Sequence, residues 1–292
     1  MMGNIVLVGA GGTGMSGIAG ILHDLGYTNI IAIDAVESEL TKRLEMKGIK
    51  VIRHGKYKVQ RGDIVIYSEA VAECEEVLEA RRIMKAKKQP MIILNYFEFL
   101  GEVSKYFISV GFAGTNGKSS TTALAITTAK KVLPELGLGI LGALVPELDN
   151  NSYYINPKYK AKIKTIFDFM LNKKRSHELQ HEAYSMIKKQ YFFVEACEYK
   201  RHFLYLDLDY AAITSLELDH TDYYKDMKDY SLAFKQFSSK TKKQIFIPKG
   251  LPNIEGGNVE TWKGGKVKRI PIKKINFKHL RGKHNNINGS LV

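Results

Sequence analysis

The chain has 292 residues, 45% of them hydrophobic, which is ample apolar material for two ordinary cores. No apolar run approaches the roughly 20 residues that a membrane span needs, and no basic stretch leads into an apolar signal core, so a soluble, cytoplasmic protein is expected. The formal charge of +14 favours anionic partners, but the excess lies in Lys158 to Lys189 and Lys240 to Lys283 without interleaved aromatics, so a lysine-rich surface is expected and nucleic acid is not.

In chain order, the apolar run Ile5 to Val8 reads as a buried strand and Met15 to Leu25 as a helix. Between them, VGAGGTGMSG at 8 to 17 places Gly9, Gly11 and Gly14 at G-x-G-x-x-G spacing, a loop whose backbone cradles phosphates. Asp34 closes the next apolar run, Ile30 to Ile33, where an acidic group would meet a ribose hydroxyl, so this stretch alone reads as a nicotinamide or flavin dinucleotide site. A helix at Glu37 to Lys47, a strand at Ile64 to Tyr67, a helix at Glu73 to Ala86 and a strand at Met91 to Leu94 complete a βαβ series, hence a parallel sheet. Tyr96 to Lys105 reads as a helical connector, and a domain boundary is placed near residue 104. The two cysteines, Cys74 and Cys197, have no metal-like spacing and are expected as reduced thiols.

A second series starts with the strand Tyr106 to Val110 and continues through a helix at Ser119 to Val132, strands at Phe192 to Glu195, Ala211 to Ser215 and Ile245 to Pro248, and a helix near Met227 to Ser238. The hydrophilic stretch 146 to 189 looks like an insertion into this second domain, with a loop at Asp149 to Ser152 and a helix at Glu178 to Lys189. The glycines and lysines of Pro248 to Pro271 suggest an edge hairpin around Gly264 and Gly265. The fold class that follows is α/β: a Rossmann-like N-terminal domain, 1–104, followed by a P-loop-type α/β ATPase domain, 105–292.

The second series carries its own phosphate loop, GTNGKSS, at Gly114, Thr115, Asn116, Gly117, Lys118, Ser119 and Ser120. Its amides and the following helix N-terminus form an anion cradle, Lys118 can reach terminal phosphates, and Ser119 can offer a hydroxyl to Mg²⁺. That is an ATP-site signature, although the glycine spacing departs from G-x-x-x-x-G-K-[ST]. Glu195 closes the apolar run before it, and Glu217, Asp219, His220 and Asp222 follow another, so carboxylates and an imidazole collect at the carboxyl edge of the sheet. Near the end, GKHNNIN offers His284, Asn285 and Asn288, whose amide groups suit an adenine edge.

Together, AGTNGKSSTT, EACEYKRHFL, LDHTDYY and GKHNNIN resemble, in order, the motifs of the Mur ligases, the ATP-dependent amide-forming enzymes of bacterial cell-wall precursor synthesis. VGAGGTGMSGIAGIL is similar to the glycine loop of the branch whose members act on UDP-N-acetylmuramate, adding L-alanine or a recycled tripeptide. The resemblance implies that ATP phosphorylates the substrate's lactyl carboxylate and that an amine then attacks the acyl phosphate. It implies Lys118, Glu195 and His220 as catalytic residues, Ser119 and Glu195 on one Mg²⁺, His220 on a second metal, and Asn285 and Asn288 at adenine with His284 nearby. It also implies that Gly9, Gly11, Gly12, Thr13, Gly14, Met15 and Ser16 bind uridine diphosphate, with Asp34 toward the uridine. The family's C-terminal amino-acid-binding domain is not represented in the 292 residues, and Cys197 and Lys200 stand where relatives commonly have acidic residues. A nucleotide-binding two-domain fragment without ligase activity is therefore the alternative to an amide ligase.

Overall fold

A computed structural model of the chain describes residues 3–86, 91–171, 189–249, 251, 267–271 and 283–292. It divides into two compact units, one made of Met1–Tyr106 with Gly142–Lys188, the other of Phe107–Leu141 with Lys189–Val292.

The first unit is built on a five-stranded sheet of order β3-β2-β1-β4-β5, all parallel: β1 (Ile5–Val8), β2 (Ile30–Asp34), β3 (Lys50–Arg53), β4 (Ile64–Tyr67) and β5 (Ile92–Asn95). The helices between them are α1 (Thr13–Asp24), α2 (Glu39–Met46) and α3 (Glu75–Ala86), and α4 (Tyr96–Ser104) follows β5. β1 and β4 are buried along their whole length, which is why they read as unbroken apolar runs. β3 is an edge strand whose end residues, Lys50 and Arg53, are exposed, so it carries little apolar signal and was not anticipated. Two helices start on capping boxes, Ser38 with Thr41 for α2 and Asn95 with Glu98 for α4, satisfying two otherwise orphaned amides in the first and three in the second.

The segment expected as an insertion in the second domain packs with the first unit instead. β8 (Asn151–Ile155) lies on α1: Ser152 Oγ donates to Thr13 O (3.0 Å), Tyr153 Oη donates to Asp24 Oδ2 (2.6 Å), and a Cβ on Gly20 would collide with the Tyr153 ring. α6 (Lys160–Leu171) lies on α4, with Phe167 edge-on to Phe99 at 5.8 Å and Phe169 edge-on to Tyr106 at 6.0 Å. The correction has a simple cause. The run KAKIKTIFDFML alternates lysines with a buried stripe of Ile163, Ile166, Phe167 and Met170, so charge conceals an amphipathic helix. Of the loop expected at Asp149 to Ser152, Asp149 and Asn150 form a left-handed turn (φ 57° and 54°), whereas Asn151 and Ser152 open β8.

The second unit holds the phosphate-loop elements. The sheet order is β12-β11-β10-β6-β9-β7, from β6 (Ile108–Ala113), β7 (Leu136–Val145), β9 (Tyr191–Glu195), β10 (Tyr210–Ile213), β11 (Gln244–Pro248) and β12 (Val267–Ile270). β6 pairs parallel with β9 and β10, β7 with β9, β10 with β11, and β11 with β12. α5 (Lys118–Val132), α7 (Met227–Lys240) and α8 (Lys283–Ser290) accompany them. β7 was missed because its glycines dilute the apolar signal; a Cβ on Gly139 would sit 2.7 Å from Ile126 Cδ1, so close packing on α5 demands glycine there. β12 pairs parallel to β11, so it is not the return arm of a hairpin with it; Gly264 and Gly265 lie outside the described residues, as does the helix expected at 178–189.

Candidate functional site

In the second unit β6 runs into the turn Gly114–Gly117 and then α5, and two neighbouring strand ends brace that turn. Gly114 (φ +131°) has no room for a side chain, since a Cβ would lie 2.3 Å from Thr214 Oγ1. Gly117 (φ +83°) is the N-cap of α5, with Asn288 Oδ1 standing 2.6 Å from where a Cβ would be. Thr115 spends its hydroxyl on structure: it donates to Glu217 O (2.7 Å), accepts from Glu217 N (2.9 Å) and bonds the buried Tyr230 Oη (2.9 Å). Asn116 N donates to Ser215 Oγ (2.7 Å), and Thr214 Oγ1 donates to Asn116 O. The first-turn amides of α5 have no intrahelical acceptor and face this turn, which makes it an anion cradle. A cavity of about 540 Å³ opens beside it, lined by Asn116, Gly117, Ser120, Thr214, Glu217 and Asn288 among others.

Lys118 has three donors and all are occupied: Nζ donates to Gly114 O (2.7 Å), Thr115 O (3.0 Å) and Glu198 Oε1 (2.9 Å). A phosphate entering the loop would take over at least one of these bonds. Ser119 Oγ donates to Glu195 Oε1 (2.9 Å), joining the first helical turn to the end of β9. His220 is held in a left-handed conformation (φ 53°), its ring tilted on Tyr199 at 4.7 Å and its Nε2 3.4 Å from Glu198 Oε1. Glu198 was not singled out from sequence, yet it stands between Lys118 and His220. Its side chain is fully buried, and Tyr224 Oη donates to its backbone carbonyl. The available signal was its place in EACEYK, three residues past Glu195.

The structure therefore brings Lys118, Ser119, Glu195 and His220 to one turn, but through two carboxylates: Ser119 meets Glu195, while His220 meets Glu198 and Asp219. A divalent cation fits these residues. Glu198 Oε2 is buried and has no hydrogen-bond partner among the described residues, and Glu198, Asp219 and His220 offer ligand atoms within 4.8 Å of one another. Burial, then the Glu198 carboxylate, pushes the Cys197 thiol beside them up to about 11, so it stays protonated and inert at neutral pH. Asn285 and Asn288 are buried on α8 and bonded to each other (3.3 Å), with Asn288 against the loop. His284 lies on the same helix, its side chain outside the described residues.

In the first unit the loop after β1 is largely self-satisfied. Gly9 N and Ala10 N donate to Ile33 O (2.8 and 3.0 Å), Gly11 N to Asp34 Oδ2 (2.7 Å) and Gly12 N to Gly9 O (3.2 Å). What remains for an anion is the first turn of α1, the amides of Thr13, Gly14 and Met15, because the N-cap Gly12 supplies no side-chain acceptor. Ser16 is buried and its Oγ donates back to Thr13 O (2.9 Å). Asp34 also accepts from Val36 N (3.1 Å), so its carboxylate braces the glycine loop. Gly14 must be glycine because a Cβ would lie 2.7 Å from the Tyr96 ring.

Family models described as the Mur ligase family, catalytic domain, and the Mur ligase middle domain match residues 4–107 and 112–252. A curated UDP-N-acetylmuramate–L-alanine ligase from Lactiplantibacillus plantarum is 31% identical over 240 residues, covering 82% of this chain and 45% of that one. One from Clostridium perfringens is 30% identical over 232 residues, covering 79% and 42%. The chain thus spans less than half the length of these relatives. Among solved structures, a UDP-N-acetylmuramate–alanine ligase from Thermotoga maritima matches with a TM-score of 0.64 at 21% identity, covering 93% of this chain and 53% of that one. A UDP-N-acetylmuramate:L-alanyl-gamma-D-glutamyl-meso-diaminopimelate ligase from Neisseria meningitides gives 0.72 at 19%, covering 100% and 92%. These structural likenesses show a shared fold.

Proposed function

The chain belongs to the Mur ligase family, and from that membership and the geometry above we propose that it carries the nucleotide and UDP-substrate parts of a cytoplasmic ligase joining L-alanine to UDP-N-acetylmuramate. The observation that carries this reading is the meeting of Lys118, Ser119, Glu195, Glu198 and His220 at one phosphate loop, in a chain that also has a glycine loop ahead of it.

The second unit is the ATP-binding part. The amides at the head of α5, from Gly117 to Ser119, receive the phosphates of ATP, and Lys118 exchanges a loop carbonyl for a phosphoryl oxygen, neutralising charge as phosphoryl transfer proceeds. Ser119 with Glu195, and His220 with Glu198, are the residues that would hold Mg²⁺; bound there, the metal offsets the negative charge that keeps a carboxylate nucleophile away from a phosphate. Asn288, which stands against Gly117, would read the nucleotide base together with Asn285, and His284 lies on the same helix. The first unit is the UDP-substrate part: the first turn of α1 takes the pyrophosphate, and Asp34 keeps the loop in shape for it. The lactyl carboxylate oxygen attacks the γ-phosphorus and ADP leaves. The amine then attacks the acyl carbon and gives up a proton as phosphate leaves, and an amide remains. Such chemistry asks for positioning and charge neutralisation more than covalent help.

The test is phosphate release from ATP with UDP-N-acetylmuramate and, in turn, L-alanine, other amino acids and the L-alanyl-γ-D-glutamyl-meso-diaminopimelate tripeptide. It is run on this chain and on the chain extended with a relative's C-terminal region. Release that requires UDP-N-acetylmuramate and L-alanine supports the proposal. Release with the tripeptide alone reassigns the acceptor, and nucleotide binding without release in either form favours a non-catalytic nucleotide-binding role.

A further inference from the structure

At the carboxyl edge of the first unit's sheet, three side chains of different metal-binding chemistry face one another. His54 sits in the turn after β3, which Gly55 (φ +74°) reverses, and Cys74 and Glu76 flank the start of α3. His54 Nδ1 lies 3.0 Å from Glu76 Oε2, and the ligand atoms of His54, Cys74 and Glu76 all fall within 4.8 Å of one another. We propose that His54, Cys74 and Glu76 form a zinc site, completed by water, that fastens the β3 turn to the start of α3. This proposal goes beyond the ligase reading and does not depend on it.

An imidazole, a thiolate and a carboxylate suit zinc, because the sulfur and nitrogen donors disfavour Mg²⁺ and Ca²⁺. Charge balances as well, the carboxylate and the thiolate together offsetting a dication. Metal bonds of about 2.0–2.3 Å would place tetrahedral donors roughly 3.3–3.8 Å apart, so the observed spread closes by small side-chain rotations. The carboxylate is already oriented: the Glu76 side chain is fully buried and Oε1 accepts from Gly55 N (2.7 Å), the kind of outer bond that fixes a ligand in place. His54 and Cys74 remain partly exposed, which leaves an entry path and a fourth position for water. Binding replaces the thiol proton, Cys74–SH plus Zn²⁺ giving Cys74–S–Zn⁺ and H⁺, with no redox change. The effect would be local stiffening next to the glycine loop, since His54 N donates to Asp34 O (3.2 Å) and Asp34 holds Gly11. Linear spacing hides the site because His54 lies far from Cys74 in sequence.

The experiment is a Co²⁺ titration of the reduced full chain followed by absorption. The expected result is one equivalent bound with a sulfur-to-cobalt charge-transfer band and tetrahedral ligand-field bands that Zn²⁺ abolishes, any cobalt held at Glu198, Asp219 and His220 lacking the charge-transfer band. The charge-transfer band disappears in C74S and persists in C197S, and H54Q weakens binding by roughly tenfold or more. In the unaltered chain Zn²⁺ should also slow alkylation of Cys74 at least several-fold, a measurement that needs no variant to fold. Absence of a charge-transfer band in the unaltered chain, its survival in C74S, or equal alkylation of Cys74 with and without Zn²⁺ overturns the proposal and leaves Glu76 as a hydrogen-bonded brace of the turn.

Discussion

Replacing Lys118 with alanine should weaken the fold as well as abolish ATP turnover, and the two effects can be separated. Lys118 Nζ is 2.9 Å from Glu198 Oε1, and the Glu198 side chain is fully buried while that of Lys118 is 16% exposed. Taking one partner from a buried ion pair costs about 3–5 kcal/mol because the remaining charge is stranded. His220 Nε2, 3.4 Å away, offsets part of this, so about 2–4 kcal/mol is expected for Lys118→Ala. Gly114 O and Thr115 O lose a donor in the same variant. If stranded charge is the cause, Glu198→Gln introduced into Lys118→Ala should restore roughly half of the loss, a coupling of about 1–2 kcal/mol between the two sites. Urea unfolding of the four chains followed by circular dichroism measures the cycle, and phosphate release measures turnover, which stays absent in both lysine variants. Equal destabilisation of the single and the double variant would refute the reasoning.

Gly117→Ala places a Cβ 2.6 Å from Asn288 Oδ1 at φ +83°, so it should cost about 1–2 kcal/mol in backbone strain and lower ATP affinity at least several-fold by calorimetry. Asp34→Ala removes the acceptor of Gly11 N and should weaken UDP-N-acetylmuramate binding by roughly fivefold or more. The unaltered chain should bind that nucleotide sugar and not NAD; tight NAD binding with none of the sugar would reverse the assignment. Burial, then Lys200, lowers the His202 pKa to about 4, so between the unfolded value near 6.5 and about 4 the unfolded state binds more protons. Stability from this group is therefore intact above about pH 6.5 and lost as pH falls toward 4; His202→Gln should flatten the pH dependence of the urea midpoint over that window.

Much of the architecture was legible because fully buried parallel strands are written as apolar runs. β1 and β4 appear as IVLV and IVIY, and their predicted and observed limits coincide. The phosphate loop was equally legible, since Gly114 and Gly117 occupy backbone positions that other residues strain to adopt and Lys118 and Ser119 follow at the head of a helix. Local chemistry of this kind needs no distant partner to be recognised. The elements that escaped were those whose signal depends on such a partner: β7, whose glycines make sense only against Ile126, and α6, whose apolar stripe finds its purpose on α4.

The sequence by itself determined two α/β series, each opening on a glycine loop, and the carboxylates and imidazole that gather at the second. Only the tertiary structure decided which carboxylate each group uses. Ser119 is joined to Glu195, whereas Lys118 and His220 share the buried Glu198, because the helical turn at Tyr199–Tyr205 and the left-handed His220 bring two separate strand ends onto one oxygen. It also showed that the Asp34 carboxylate braces Gly11 N, which lies 2.7 Å away. Hydrogen-bond partners separated by 80 residues, as Lys118 and Glu198 are, are set by how strands order in the sheet, and no spacing in the chain encodes that order.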